Sequence, residues 1–167
     1  TYRDACVQDA TELAAFAART FTETFGHLYP PEDLAAFLAA KYGAGIQSKE
    51  ISAHGMLYVL ALRGDEIVGY CQLGPYDLPI TASGRPREIH RLYVDASVKG
   101  AGVAHELMRR ALSWAAAENA DSLWLSVWEN NARAHAFYKR YGFEHMGEHK
   151  FMVGRVADRD FIWRLAL

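Results

Sequence analysis

A strand that leads directly into a long amphipathic helix, through a loop with two glycines, places the tightest constraint on this fold. The apolar segment Glu88–Val94 ends in a short loop that contains Gly100, and Gly102–Asn119 carries apolar side chains at helical spacing. A second apolar segment, Leu123–Trp128, follows this helix. Because a helix separates the two strands, we expect them to run parallel, with a right-handed crossover.

The periodicity of the remaining segments predicts the order strand, two helices, three strands, helix, strand, helix and closing hairpin. Asp9 stands three residues before Glu12, a spacing that is typical of a capping box at the start of the first helix. The second helix is predicted to start at Pro31 and to end at Gly43 and Gly45. The last helix covers about residues 132–140.

Composition excludes several classes of function. A chain of 167 residues has the length of one domain, and its net charge of −2 provides no basic excess for a nucleic-acid partner. No signal peptide and no apolar run of membrane-spanning length is present, so we expect no membrane association. Two cysteines do not make a disulfide framework. We therefore expect a cytoplasmic protein.

The glycine loop, Lys99-Gly-Ala-Gly-Val-Ala104, has the properties of a phosphate site. Free backbone N–H groups at a helix start bind anions, and glycines let a phosphate approach closely. A Rossmann fingerprint would need a third glycine where the chain has His105, and a P-loop would need Gly-Lys-Ser/Thr, which is absent. A turn that needs glycine for its geometry alone is the alternative interpretation.

Two segments together resemble the motifs of the GNAT superfamily of N-acetyltransferases. Lys99–Ala104 resembles the coenzyme A loop Gln/Arg-x-x-Gly-x-Gly/Ala, with lysine in place of the usual first residue. Asn131–Phe143 matches Asn-x-x-Ala-x-x-Phe-Tyr-x-x-x-Gly-Phe at every fixed position. The resemblance extends over nearly the whole chain, and Thr20–Phe25 and His149–Gly154 are similar to bacterial polyamine (spermidine/spermine) acetyltransferases.

This resemblance implies one GNAT domain over residues 1–167, of the α/β (α+β) class. Its central sheet would be mixed and mostly antiparallel, with six to seven strands, and about four helices would pack on both faces. A splayed parallel strand pair would bind acetyl-CoA: the fourth strand would contact pantetheine and the glycine loop would hold pyrophosphate. The implied cofactor-binding residues are Leu92, Tyr93, Val94, Lys99, Gly100, Ala101, Gly102, Val103, Ala104, Asn131, Ala134 and Phe137.

Acetylation of an amine requires a base, because an alkyl amine with a pKa of about 10.4 is protonated at neutral pH. Glu88 is the candidate, since it matches the glutamate base of related histone acetyltransferases. His90 is the alternative base or a partner of Glu88. Strand alternation predicts that both share a face with Leu92 and Val94, while Ile89 lies on the other face. A solvated carboxylate, with a water chain as base, stays open.

Tyr138 is the candidate acid that protonates the departing thiolate. Its position in the second motif would place the phenol near the cofactor sulfur, although Phe137, Tyr138 and Tyr141 have the helical spacing of core aromatics. A backbone N–H of the fourth strand would stabilise the oxyanion. The resemblance implies direct transfer of the acetyl group from acetyl-CoA to the amine.

The acceptor is expected to be a primary amine of a small molecule, with a polyamine favoured, or of a peptide. The acidic candidates for its pocket are Glu23, Glu32, Asp33, Asp77 and Glu88, each of which could equally be solvated surface. Three alternatives stay open: a protein N-terminal or lysine acetyltransferase, a longer acyl donor, and a non-catalytic acyl-CoA-binding sensor. A homodimer is common in this family, although nothing in the sequence indicates one.

The seven histidines do not predict a metal site. His105-Glu106 does not extend to His-Glu-x-x-His, because residue 109 is arginine. His145 and His149 share one strand face without a third ligand. We expect no bound metal.

Overall fold

The computed structural model describes all 167 residues of the chain. Its strands are β1 (Tyr2–Asp4), β2 (Leu57–Arg63), β3 (Glu66–Pro75), β4 (Pro86–Val94), β5 (Ser122–Trp128), β6 (Glu144–Val153) and β7 (Val156–Ala166). Its α-helices are α1 (Ala10–Phe25), α2 (Pro31–Tyr42), α3 (Ala44–Ile51), α4 (Val103–Ala117) and α5 (Ala132–Arg140). All seven strands form one sheet in the order β1-β2-β3-β4-β5-β7-β6.

The two central strands, β4 and β5, form the only parallel pair of this sheet. Their pairing joins Pro86–Glu88 to Ser122–Trp124 and stops there, while β5 stays paired with β7 as far as Trp128. Beyond Glu88 the side of β4 that faces β5 therefore has no strand partner. The predicted mixed sheet with a splayed parallel pair is confirmed.

Two apolar cores cover the two faces of the sheet, as predicted. The first core packs α4 against the sheet through Leu107, Met108 and Ala111, none of which is exposed. The second core packs α1 through buried side chains such as Leu13 and Phe21. Burial of each large apolar side chain contributes about 1.5–3 kcal/mol, so the two cores fix the sheet between its helices. No helix has the length and apolarity that a membrane span requires.

Helix α3 is absent from the sequence-based order of elements. Gly43 does end α2, as predicted, but its extended backbone (φ −68°, ψ 148°) is also the N-cap of the next helix, which begins at Ala44. The predicted role of Gly45 at the end of α2 is wrong, because Gly45 lies in the first turn of α3. One extended residue, Gly43, is enough to change the direction of the chain between α2 and α3. The spacing of apolar residues in the sequence gives little sign of so short a break between two helices.

Asp9 is the N-cap residue of α1, as predicted, but the capping box is wrong, because its side chain makes no hydrogen bond to the start of the helix, which follows a 3-10 turn at Val7–Asp9. The Asp9 carboxylate instead accepts hydrogen bonds from the Cys6 N–H (2.8 Å) and from the Arg3 guanidinium (2.7 Å). Glu12 accepts from the backbone N–H of Ile67 (3.2 Å). Both carboxylates therefore connect the N-terminal segment to its surroundings rather than cap α1.

A β-bulge in β4 changes which side chains face the two cores. Gln72 of β3 lies opposite Arg91, and the next residue, Leu73, lies opposite Ile89, so His90 is an extra residue on β4. Ile89 consequently packs in the same core as Leu92, and the predicted alternation is wrong at this point. The bulge turns Glu88 and His90 away from the α4 core and towards a cavity on the other face.

Candidate active site

The glycine loop and the start of α5 enclose a cavity of about 590 Å³, called here the loop cavity. It lies where β4 and β5 separate. Eleven of the twelve predicted cofactor-binding residues line this cavity, and Ala101 does not. The eleven are Leu92, Tyr93, Val94, Lys99, Gly100, Gly102, Val103, Ala104, Asn131, Ala134 and Phe137. The structure therefore brings residues from three separate segments to one cavity.

Gly100 and Gly102 have left-handed backbone conformations, with φ of +86° and +80°. An added Cβ at either residue would meet no atom within 4 Å, so the space in front of the loop is open. Gly102 is also the N-cap of α4 and offers no side chain to its free N–H groups. This geometry suits an anion, and Lys99, Arg133 and Arg140 line the same cavity.

A second cavity, of about 560 Å³, lies on the other side of β4 and is called here the carboxylate cavity. Five acidic residues line it: Glu50, Asp77, Glu88, Asp158 and Asp160. Only two of its lining residues, Lys41 and Arg91, are permanent cations, and Arg91 is paired with Glu50 (3.3 Å). Aromatic side chains such as Tyr42 and Trp128 supply much of the remaining wall.

The two cavities meet at a junction of shared lining residues. Both are lined by Phe25, Leu92, Tyr93, Asn131, Ala134 and Tyr138. Tyr138 is only 7% exposed, and burial raises the pKa of its phenol above the ordinary value. The phenol therefore stays protonated throughout the neutral range, at the point where a molecule in one cavity would touch a molecule in the other.

Glu88 lies in the carboxylate cavity with 6% of its surface exposed. Burial raises the pKa of its carboxyl to about 7, and the nearby charge of Asp77 acts in the same direction. The backbone N–H of Asp77 donates to Oε2 (2.8 Å) and opposes this shift. Glu88 thus exchanges its proton near neutral pH, as a general acid or base requires.

His90 lies beside Glu88, at the bulge. Its Nε2 is 3.0 Å from the carbonyl oxygen of Pro75, which can only accept, so we assign the proton of the neutral ring to Nε2. Nδ1 then directs its lone pair towards Glu88 Oε1, at 3.5 Å. Burial lowers the pKa of His90, so the ring is neutral at pH 7 and can accept the Glu88 proton.

Asn131 has a structural role besides its place at the junction. As the N-cap of α5, its side-chain oxygen accepts a hydrogen bond from the Ala134 N–H (3.2 Å). The asparagine of the second motif therefore fixes the helix that carries Tyr138.

Only two of the five acidic residues predicted for the acceptor pocket line the carboxylate cavity. Asp77 and Glu88 line the carboxylate cavity, whereas Glu23, Glu32 and Asp33 do not. Glu23 pairs with Arg19 (3.3 Å), and Glu32 and Asp33 pair with Arg155 (3.8 and 3.3 Å). The missed residues are Glu50, Asp158 and Asp160. Asp158 and Asp160 alternate on β7, a pattern that marks one face of a strand.

Asp160 is the most deeply buried carboxylate of the closing hairpin, with 7% of its surface exposed. Burial raises its pKa to about 6, and the neighbouring charge of Asp158 adds to this shift. Its one side-chain hydrogen bond, from Ser126 Oγ, is long at 3.5 Å. Asp158 itself accepts a hydrogen bond from the phenol of Tyr29.

The two histidines of β6 have different surroundings. His145 is exposed and packs its ring against Phe161 and Trp163. His149 lines the carboxylate cavity, where its Nε2 is buried without a hydrogen-bond partner. No three side chains of the metal-binding types are grouped as a metal site would require.

Comparison with known proteins gives matches over nearly the whole chain. The model of the acetyltransferase (GNAT) family matches residues 12–143. An uncharacterised N-acetyltransferase encoded in the pepI 3′ region of Lactobacillus delbrueckii subsp. lactis is 31% identical over 163 residues, which cover 96% of this chain and 93% of the relative. An uncharacterised N-acetyltransferase of Mycobacterium tuberculosis is 32% identical over 154 residues, with coverage of 92% and 95%.

Solved structures share the architecture. The PaiA N-acetyltransferase of Thermoplasma acidophilum, crystallised with coenzyme A, superposes with a TM-score of 0.80 at 19% identity and covers 100% of this chain and 98% of its own. The ribosomal-protein-alanine N-acetyltransferase of Brucella melitensis gives 0.69 at 22% identity, with coverage of 100% and 99%. At such identities the likeness establishes the fold alone.

Proposed function

Because this chain belongs to the GNAT family of N-acetyltransferases, we propose that it transfers the acetyl group of acetyl-CoA directly to a primary amine of a small cationic molecule, with a polyamine favoured. One observation carries this proposal. A cavity with an anion-binding loop and a cavity with five carboxylates meet at the buried phenol of Tyr138. The first suits a cofactor rich in phosphates, and the second suits a cationic acceptor.

The loop cavity fits acetyl-CoA. The open space before Gly100 and Gly102 and the free N–H groups of α4 suit the pyrophosphate, and Lys99 adds a cation in place of the family's usual Gln or Arg. The unpaired backbone of β4 beyond Glu88 provides hydrogen-bonding groups for the pantetheine arm and for an oxyanion. Bound acetyl-CoA would supply an activated acetyl thioester at the junction.

Replacing both loop glycines by alanine is expected to weaken coenzyme A binding about tenfold or more. Each alanine would have to adopt a positive φ, at a cost of roughly 1 kcal/mol, and its Cβ would occupy the space into which a phosphate must fit. Titration calorimetry with coenzyme A on Gly100→Ala/Gly102→Ala measures this loss directly.

Gly64 provides the matched control. It has a positive φ of +61° in the β2–β3 turn, and an added Cβ there also meets nothing within 4 Å. Gly64→Ala should therefore cost similar stability and leave the Kd for coenzyme A unchanged. Equal affinities in the loop variant and in Gly64→Ala would remove the loop from the binding site.

In the proposed reaction, Glu88 removes a proton from the acceptor ammonium, directly or through a water molecule. The raised pKa of Glu88, about 7, allows the carboxylate to form at neutral pH and to remain basic. His90, neutral and with Nδ1 facing Glu88 Oε1, can accept that proton from Glu88. The neutral amine then attacks the thioester carbonyl, so that a C–N bond forms and the C–S bond breaks, and the phenol of Tyr138 donates a hydrogen bond to the leaving sulfur as its negative charge develops. The acylated nitrogen releases its second proton to water, and the thiolate takes a proton from water to leave as free coenzyme A.

The lining of the carboxylate cavity supports a cationic acceptor. Asp77, Glu88, Asp158 and Asp160 have no lysine or arginine partner, so the cavity favours positive charge. The aromatic walls would bury the alkyl part of an amine and contribute cation–π contacts of about 0.5–2 kcal/mol. An alkyl chain with protonated nitrogens, as in a polyamine, has this combination of properties.

The first experiment is release of free thiol from acetyl-CoA against a panel of amines. Spermidine, spermine, a lysine peptide, a peptide N-terminus and an aminoglycoside represent the acceptor classes. We expect turnover with the two polyamines. Turnover of the peptides alone would favour a protein acetyltransferase, and coenzyme A binding without thiol release from any amine would favour an acyl-CoA-binding sensor.

A further inference from the structure

Asp160 is a buried carboxylate without a cation. No lysine, arginine or histidine lies within ion-pair distance of it, although charged side chains are rarely this buried unless they are paired. Its side chain lines the carboxylate cavity, so a ligand in the cavity can reach it. Its only side-chain hydrogen bond, from Ser126 Oγ at 3.5 Å, is too long to replace the lost hydration.

Asp160 receives little hydrogen-bond donation from its neighbours. The hydroxyl of Tyr29 donates to Asp158 instead, and Ser126 is the only side chain that donates to Asp160. His149, directly opposite Asp160 on β6, has a buried Nε2 without a partner, which can donate or accept according to the tautomer of the ring. Elsewhere in the cavity, on β3, the amide oxygen of Gln72 is also buried without a partner. The Asp160 carboxylate and this amide oxygen can only accept, so the cavity suits a ligand with N–H donors and positive charge.

Asp160 and Glu88 lie at different depths along the strands. Glu88 pairs with Trp124, at the end of the β4–β5 ladder, whereas Asp160 pairs with Trp128, further along β5. Four residues of an extended strand correspond to roughly 13 Å between these backbone positions. One cationic nitrogen is not expected to serve both carboxylates.

We propose that Asp160 binds a second ammonium group of the acceptor, apart from the nitrogen that is acetylated, so that the enzyme selects amines with at least two cationic nitrogens. This inference rests on the proposed acetyl transfer and names the residue that determines its specificity. Asp160 is a binding residue in this scheme, and Glu88 remains the base.

The test compares spermidine with hexylamine, a chain with a single nitrogen, in wild-type protein and in Asp160→Asn. We expect the variant to raise KM for spermidine at least about tenfold, since a charge-assisted hydrogen bond contributes ~1.5–3 kcal/mol. KM for hexylamine and for acetyl-CoA should change less than about threefold. Asp33→Asn is the matched control, because Asp33 is similarly buried (9% exposed) but lies outside both cavities.

A parallel loss with both amines, or no loss with spermidine, would overturn the assignment. Thermal unfolding gives a readout that does not need turnover: Asp160→Asn should raise the Tm of the free protein by roughly 2–6 °C, since it removes an unpaired buried charge. At equal concentrations, spermidine should raise the Tm of the wild type clearly more than that of the variant. If thiol release fails while this difference persists, the proposed reaction falls and the ammonium site stands; an equal shift in both proteins would refute the site.

Discussion

Tyr138→Phe is expected to lower kcat by about 10²-fold and to leave the Kd for coenzyme A within about twofold. The phenol lies at the junction of the two cavities, and its raised pKa keeps it protonated at every working pH. A buried phenol is a weaker acid than a free thiol, whose pKa is near ~8.5. Its main contribution is therefore a hydrogen bond that stabilises the developing thiolate, which the ground state does not need.

Tyr141→Phe is the control for this prediction. Tyr141 follows the same helix, but it lines neither cavity, and its hydroxyl is bonded to His105 Nδ1 (2.7 Å). Steady-state thiol release should distinguish the two variants, with kcat nearly unchanged in Tyr141→Phe. Equal kcat in wild type and Tyr138→Phe would remove the phenol from the reaction and leave stabilisation of the developing thiolate to solvent.

The parts of the site that were predictable depend on local chain geometry. A glycine with positive φ, a helix that starts directly after it and an asparagine that caps the next helix are all properties of a few consecutive residues. For this reason Gly100, Gly102 and Asn131 could be placed by motif, and the structure does bring them to one cavity. The parallel strand pair followed from the helix between its strands.

The bulge at His90 could not be predicted in this way. It exists because Gln72 and Leu73, on another strand, pair with Arg91 and Ile89, and this register is a property of two strands together. Strict alternation predicts Glu88 on the face of Leu92, which packs against the α4 core, whereas Glu88 lies in the carboxylate cavity on the other face. The raised pKa of Glu88 depends on the burial that follows from this shift.

The prediction of the acidic residues that line the cavity was partly wrong for a related reason. Glu23 and Asp33 are close in sequence to residues of the cavity, yet each turns to an arginine outside it. Asp160 reaches the cavity only because β7 lies between β5 and β6, an order that local patterns do not contain. Charge counts in a sequence identify candidates, and the packing of distant strands decides which of them share a cavity.

Glu88→Gln should lower kcat/KM by about 10²–10³-fold at pH 8 and should remove the acidic limb near pH 7, so that only the limb near pH 6 from protonation of Asp160 remains with spermidine. In the wild type, kcat/KM should fall about tenfold per pH unit below about pH 7, because protonated Glu88 cannot accept the ammonium proton. Glutamine keeps the size of the side chain and can still accept the hydrogen bond from the Asp77 N–H. Thiol release with spermidine from pH 5.5 to 9 measures both effects.

His90→Gln distinguishes the two candidate bases. Burial lowers the pKa of His90, so a profile controlled by this ring would have its acidic limb below about pH 6.5. With Glu88 as base, His90→Gln should keep a limb near pH 7 and lose only part of the rate. If the acidic limb of the kcat/KM profile near neutral pH disappeared in His90→Gln and persisted in Glu88→Gln, His90 would be the base and Glu88 its partner.

Stability offers a test of the Glu88 environment that does not depend on turnover. The pKa of Glu88 is raised from 4.5 to about 7 in the folded protein, so the folded state binds the proton more tightly than the unfolded state. The free energy of unfolding should therefore fall as pH rises from about 4.5 to 7, by up to about 3 kcal/mol from this group. Asp160 adds a smaller effect of the same sign between about pH 4 and 6. In urea unfolding, Glu88→Gln should be more stable than the wild type at pH 8 and no more stable at pH 4.5. The ionised carboxylate that reduces stability at pH 8 would then be the same group that activates the amine at that pH.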